Sequence, residues 1–168
     1  MAGALIITAD MAPSDQQWLD QLRRAHYPAD RNLLPAHLTM FHALPPSAEG
    51  EARRTLSRLT SERSPKAWID GLMDLGGGVA FRIISVDLDR IRRELAEDFR
   101  GLLTSQDGAG WRPHVTIQNK VPPSHARALK ARLEGDFRQR QVGITGLTLH
   151  RYLGGPWEQL GTFRFRGN

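Results

Sequence analysis

"HLTMFHALPPS", His37 to Ser47, returns 77 residues later as "HVTIQNKVPPS", His114 to Ser124. The two stretches share His, Thr, Pro, Pro and Ser at five of eleven positions, and Leu38/Val115, Met40/Ile117 and Leu44/Val121 are apolar in both. In a strand alternate side chains share a face, so His37 and Thr39 point one way while Ala36, Leu38 and Met40 point into a core. His114 and Thr116 stand likewise against Pro113, Val115 and Ile117. Each stretch reads as a half-buried strand, near 36–42 and 112–119, stopped by a proline pair, with Ser47 and Ser124 as N-caps of the helices that follow.

Working outward, "MAGALIITADM" reads as a first strand, since it lacks a basic leader region and its apolar run is too short to span a bilayer. Ser14 and Gln17 have the form of a capping box for a helix over 14–26, which Pro28 stops. After the first motif, Ala52, Leu56 and Leu59 lie along one helical face. A run from Trp68 to Leu75, the glycines at 76–78 and the alternation of Val79, Phe81 and Ile83 predict neighbouring strands. Asp87 is placed to cap a helix carrying Leu88, Ile91, Leu95, Phe99 and Leu102. The helix after the second motif closes at Gly135, and the chain ends in strands near 139–150 and 158–166. The order helix, His-bearing strand, Pro-Pro-Ser, helix, strand thus occurs twice, as in two similar lobes related by an approximate twofold.

With 168 residues, 40% of them hydrophobic, the chain is long enough for one domain, or two small lobes sharing a core. The absence of cysteine excludes disulfides, a thiolate zinc site and a cysteine nucleophile, and is compatible with a reducing, cytoplasmic location. A net charge of +5 tilts the chain toward anionic partners such as nucleotides or RNA. The 20 arginines against 3 lysines add little to that, being scattered along the sequence.

If the lobes face each other, an imidazole and a hydroxyl from each strand line one cleft. That inventory fits hydrolysis or transfer at a phosphodiester: one neutral His takes a proton from the attacking hydroxyl, the other gives one to the leaving oxygen, and the threonines hold the non-bridging oxygens. Two His-x-Thr pairs would arise by chance in about one chain in 25 of this His and Thr content, before strand context and register are required. Other chemistries fit less well. A zinc site from His37, His42 and His114 would need His42 to leave the opposite face of its strand, and no carboxylate at fixed spacing completes the set. "LGGGV", Leu75 to Val79, lacks the ending of a P-loop, and there is no Gly-x-Ser-x-Gly elbow. His26, His125 and His150 stand alone as surface or structural residues.

The pair "AHLTM" and "PHVTI" resembles the 2H phosphoesterase superfamily, and within it the bacterial 2'-5' RNA ligase (LigT-like) branch that includes RNA 2',3'-cyclic phosphodiesterases. The resemblance implies an α/β (α+β) fold of two pseudo-symmetric lobes, with antiparallel sheets around a central cleft and helices outside. It implies no cofactor and no obligatory metal. Carried over by position, it makes His37 and His114 the acid and base and Thr39 and Thr116 the phosphate ligands. The whole chain is then expected to act as one monomeric domain of two interleaved lobes, away from membranes. Its substrate would be RNA or a nucleotide carrying a cyclic phosphate or a 2'-5' phosphodiester.

Three further residues are candidates for substrate binding. Phe41 and Gln118 continue the cleft faces two residues past the threonines, so that Phe41 could stack on a base, although a strand Phe is more often core. Arg112 lies two before His114 and could meet phosphate; its counterpart Pro35 cannot. Arg31 and Tyr152 are placed only by nearness to the motif or the last strands. Two rival functions stay open, a phosphodiesterase for a small non-RNA cyclic ester and an RNA-binding module with weak turnover.

Overall fold

The computed structural model describes residues 2–167. Its strands are β1 (Leu5–Met11), β2 (Leu38–Leu44), β3 (Lys66–Asp74), β4 (Val79–Ile84), β5 (His114–Gln118), β6 (Arg140–Tyr152) and β7 (Trp157–Arg164). The helices are α1 (Pro13–His26), α2 (Glu49–Leu59), α3 (Val86–Asp98), the single turn α4 (Ser105–Gly108) and α5 (Pro123–Asp136).

All ladders between these strands are antiparallel, and they form two four-stranded lobes that share β6. Arg140–Gly143 of β6 pairs with β3, and β4 and β5 follow outward. The remainder of β6 lies between β1 and β7, and β1 leads to β2. The outer strands β2 and β5 then meet at one ladder pair, Leu38 opposite Val115.

The helices exchange lobes. α1, which connects β1 to β2, packs on β5, and its Trp18 lies 5.2 Å from the Phe81 ring of β4. α3, which connects β4 to β5, sends Phe99 against Phe41 of β2, ring centroids 5.9 Å apart. Each exchanged helix also carries a buried arginine that donates to a carbonyl of the opposite motif strand. Arg23 Nη1 reaches Thr116 O at 3.0 Å, and Arg92 Nε reaches Met40 O at 2.8 Å. A motif strand is therefore held from behind by the helix belonging to the other half of the sequence.

Period-two burial places the strands within a few residues of expectation, but the helix starts differ. Ser14 and Gln17 form no capping box: α1 begins at Pro13 with Ala12 at the cap position. Neither Ser47 nor Ser124 caps its helix. Pro46–Ala48 forms a 3₁₀ turn before α2, and in α5 Pro122 stands at the cap with Pro123 in the first turn. Proline suits a first helical position, because its fixed φ fits and its missing N–H would have had no partner there. The serines consequently fall inside the first turn. Ser85, rather than Asp87, caps α3, its Oγ accepting from Leu88 N at 3.0 Å, while Asp87 accepts from Lys66 N. α5 runs on past Gly135 to Asp136.

Candidate active site

The two motif histidines are anchored identically. His37 Nδ1 donates to Pro35 O at 2.8 Å, and His114 Nδ1 donates to Arg112 O at 2.7 Å, in each case the carbonyl two residues back. A carbonyl can only accept, so Nδ1 carries the proton in both rings and Nε2 is the free nitrogen. The segment before His37 is further held by α1, where Gln16 Nε2 donates to Ala36 O and Ala36 N donates to Asp20 Oδ1, both at 2.8 Å.

The strands do not stay regular past the threonines. Thr8 pairs with Thr39 but Ile7 with Phe41, so β2 has an extra residue at that step; Ala80 pairs with Thr116 but Val79 with Gln118, the same irregularity in β5. A bulge reverses the alternation of faces beyond it. Phe41 is accordingly fully buried against Phe99, with the Arg92 guanidinium 3.9 Å from its ring centroid, and is a core residue rather than a base platform. Gln118 is likewise buried, away from the cleft, and its Oε1 has no partner among the described residues. The bulge brings His42 onto the cleft face, opposite to the placement that plain alternation gives.

Among the described residues, a cavity of about 200 Å³ is lined by Ile6, His37, Thr39, His42, His114, Thr116 and Trp157. It thus gathers both His-x-Thr motifs and a third imidazole, with no carboxylate on its walls. No group of three or more His, Asp or Glu among the described residues is spaced to hold a metal ion. Trp157 lies 4.9 Å from His37 and 5.2 Å from His150, measured between ring centroids. On the far side of His37 and Trp157 a second cavity of about 370 Å³ opens between Thr8, Asp10, Pro35, His150 and Gln159.

Burial pushes the His37 imidazole down to about 4, and the positive charges of Arg23, His150 and His114 act in the same direction against the stabilising Pro35 carbonyl. His37 is therefore neutral, with a free lone pair on Nε2, across the neutral range. Burial also lowers His150, whose Nε2 meets Thr8 Oγ1 at 2.9 Å. Burial raises the Asp10 carboxyl above the ordinary value against the hydroxyl of Thr148, so the second cavity has a weak carboxylate in its wall.

A family model for the 2'-5' RNA ligase superfamily matches residues 11–156. The chain belongs to this family. Among solved structures, this family member is similar to TT0787 of Thermus thermophilus, with 16% identity, a TM-score of 0.68, and 98% of this chain and 99% of that one covered. It is also similar to E. coli LigT complexed with 3'-AMP, at 16% identity and a TM-score of 0.59, over 98% of this chain and 99% of that one. The E. coli LigT structure with NADP+ gives 15% identity and a TM-score of 0.59, with 99% of each chain covered. At such identities the likeness establishes a shared fold. No curated protein sequence gives a match.

Within this 2'-5' RNA ligase fold, the four motif residues share one cavity as the spacing predicts. Arg112 does not join them. Pro113 and the start of β5 at His114 break the alternation before it, so the Arg112 side chain lines a separate cavity with Arg82 and Trp111, and only its carbonyl serves His114. Arg31 is exposed beside Asp30, and Tyr152 pairs with Trp157 next to the turn that joins β6 to β7; neither Arg31 nor Tyr152 lines the cavity. His42, Trp157, His150 and the buried Arg23 are the residues that motif reading misses. His150 comes to the site because β6 lies along β1, a pairing with no local signature, and Trp157 follows because β7 turns back on β6. No helix is long and apolar enough to cross a membrane.

Proposed function

We propose that this member of the 2'-5' RNA ligase family is a metal-independent phosphoesterase that opens a 2',3'-cyclic phosphate, or cleaves a 2'-5' phosphodiester, at the end of an RNA or on a nucleotide. The observation that carries the reading is the matched anchoring of His37 and His114, each through Nδ1, on two strands in register around one small cavity. Neutral His37 takes the proton of the attacking water through Nε2. As the water oxygen bonds to phosphorus, one ribose oxygen leaves and receives a proton from the imidazolium of His114. Thr39 and Thr116 hydroxyls hold the non-bridging oxygens as charge builds on them. With a 5'-hydroxyl in place of water, the same steps join two RNA ends without ATP.

Nucleotide substrates are supported by the second cavity, which adjoins His37 with a tryptophan wall and about 370 Å³ of space, enough for a nucleoside. They are supported also by the relatives solved with 3'-AMP, ATP and phosphate. We take the unit that acts to be the whole chain as one monomeric domain, each lobe giving one His-x-Thr motif. The test is hydrolysis of a 2',3'-cyclic nucleotide panel, and of short RNA with a cyclic end, in excess EDTA. Turnover should survive chelation and vanish in H37A and H114A. Folded wild-type protein that turns over none of these substrates would point to the binding module or to a non-RNA ester.

A further inference from the structure

We propose that His42, held by Asp107, is a third phosphate-binding imidazole of this site and fixes which way round a cyclic phosphate lies between His37 and His114, an inference that rests on the function proposed above. Two halves related by a twofold cannot by themselves orient an unsymmetrical substrate. The four matched motif side chains alone would let a cyclic phosphate lose either its 2' or its 3' oxygen. Orientation needs groups that one lobe has and the other lacks: the larger cavity beside His37 is one, at the nucleoside's end, and a group that holds the phosphate at the opposite end is the other.

His42 is such a group. Its equivalent in the second motif is Asn119, whose Oδ1 accepts the N–H of Lys120 and which does not line the cavity. His42 stands in the cavity wall with both motifs, three residues further along β2 than Thr39 and thus at the end away from Pro35 and the larger cavity. Its side chain is 41% exposed, while that of Asp107 is 1% exposed.

Asp107 sets the direction of the ring. It accepts the backbone N–H of His42 and of Ala43 at 2.9 to 3.0 Å, and His42 Nδ1 at 3.0 Å. The turn that carries it is pinned by Arg92 Nη2 on its carbonyl at 2.7 Å. The two backbone bonds already satisfy the N–H groups that the bulge leaves unpaired, so tying down the bulge does not need an imidazole. What the imidazole adds is a fixed Nε2 facing an anion site. With Nδ1 committed to the Asp107 carboxylate, Nε2 is the ring atom left to donate to a bound phosphate.

The experiment is hydrolysis of 2',3'-cyclic AMP by wild type, H42A and H42Q, with 2'-AMP and 3'-AMP separated and counted and KM and kcat determined apart. H37A and H114A serve as controls. Wild type should give predominantly one isomer. H42A should raise KM by about 10- to 100-fold, the range of a lost charged hydrogen bond, and release a mixture of isomers. H42Q keeps a donor amide and should recover part of the preference. An unchanged isomer ratio and KM in folded H42A, alongside inactive H37A and H114A, would overturn the inference while leaving the proposed function standing. Should wild type turn over no cyclic nucleotide, the proposed function falls first. Inorganic phosphate titration of wild type and H42A, followed by imidazole NMR, then decides the remaining question, and equal affinities end it.

Discussion

Leu38 of β2 and Val115 of β5 face each other as the one ladder pair joining the two lobes among the described residues. In that antiparallel register His37 falls opposite Thr116 and Thr39 opposite His114, so each imidazole has the other motif's hydroxyl beside it. Both motif imidazoles and both threonine hydroxyls are therefore aligned by this one pairing of β2 with β5, with each strand braced from behind by an arginine of the exchanged helix.

On the proposed mechanism loss of either imidazole removes half of the proton relay, so H37A and H114A should each cost about 10²- to 10⁴-fold in kcat, the range for general acid–base catalysis. On the same proposal T39V removes one hydrogen bond to phosphate and leaves both imidazoles in place. A smaller loss of about 10-fold is expected for it. The ranking, measured on a cyclic nucleotide with folding checked by circular dichroism, is the test, and a threonine variant worse than both histidine variants would contradict the roles assigned.

His37 also predicts how stability changes with pH. In the unfolded chain it titrates at about 6.5, and in the folded protein burial pushes it down to about 4. Above the unfolded value both states hold it neutral and its contribution is fully present. As pH falls from there, the unfolded chain takes a proton that the folded one refuses, and stability is lost progressively until the folded value is passed. Urea denaturation at pH 7.5, 6 and 5 should show a shallower fall for H37Q than for wild type. Parallel curves would mean that His37 is not held neutral by its surroundings.

The strands were legible in the sequence because burial on one face imposes period two, and the four motif residues were legible because they precede any irregularity. Phe41, Gln118 and His42 were misplaced for one reason. A bulge is set by the register of the partner strand, here by Ile7 and Thr8 for β2 and by Val79 and Ala80 for β5, and nothing within "HLTMFHAL" marks it. Arg112 failed because alternation was extended through Pro113 into residues that are not strand. The serine caps failed because the prolines before them already satisfied the geometry of a helix start.

The exchanged arginines should separate in their effects. Arg92 binds the carbonyls of Met40 and Asp107 and covers the Phe41 ring, so R92M leaves two carbonyls unpaired and should cost about 2 to 4 kcal/mol of stability by urea denaturation. Arg23 adds its charge to the forces that hold His37 down. R23M should accordingly move the His37 titration upward, as followed by imidazole NMR, and an unchanged midpoint would show that the Arg23 charge does not act on His37.

Gly78 tests how closely the second motif strand is backed. A Cβ there would lie 1.9 Å from Gln118 O and 2.6 Å from Asn119 Cα, backbone atoms that cannot rotate aside. The β3–β4 turn is fastened to the same stretch by Val121 N donating to Gly77 O at 3.1 Å. G78A must therefore push the end of β5 away from β4, just past the bulge that follows Thr116. A loss of about 1 to 3 kcal/mol is expected from the clash. Because the displaced segment follows directly on the second motif, G78A should also lower kcat on a cyclic nucleotide at temperatures where the variant is fully folded. G76A, at a glycine with φ of 84° and nothing within 4 Å of its Cβ position, strains the turn without pressing on β5 and should reduce stability while leaving kcat at the wild-type value.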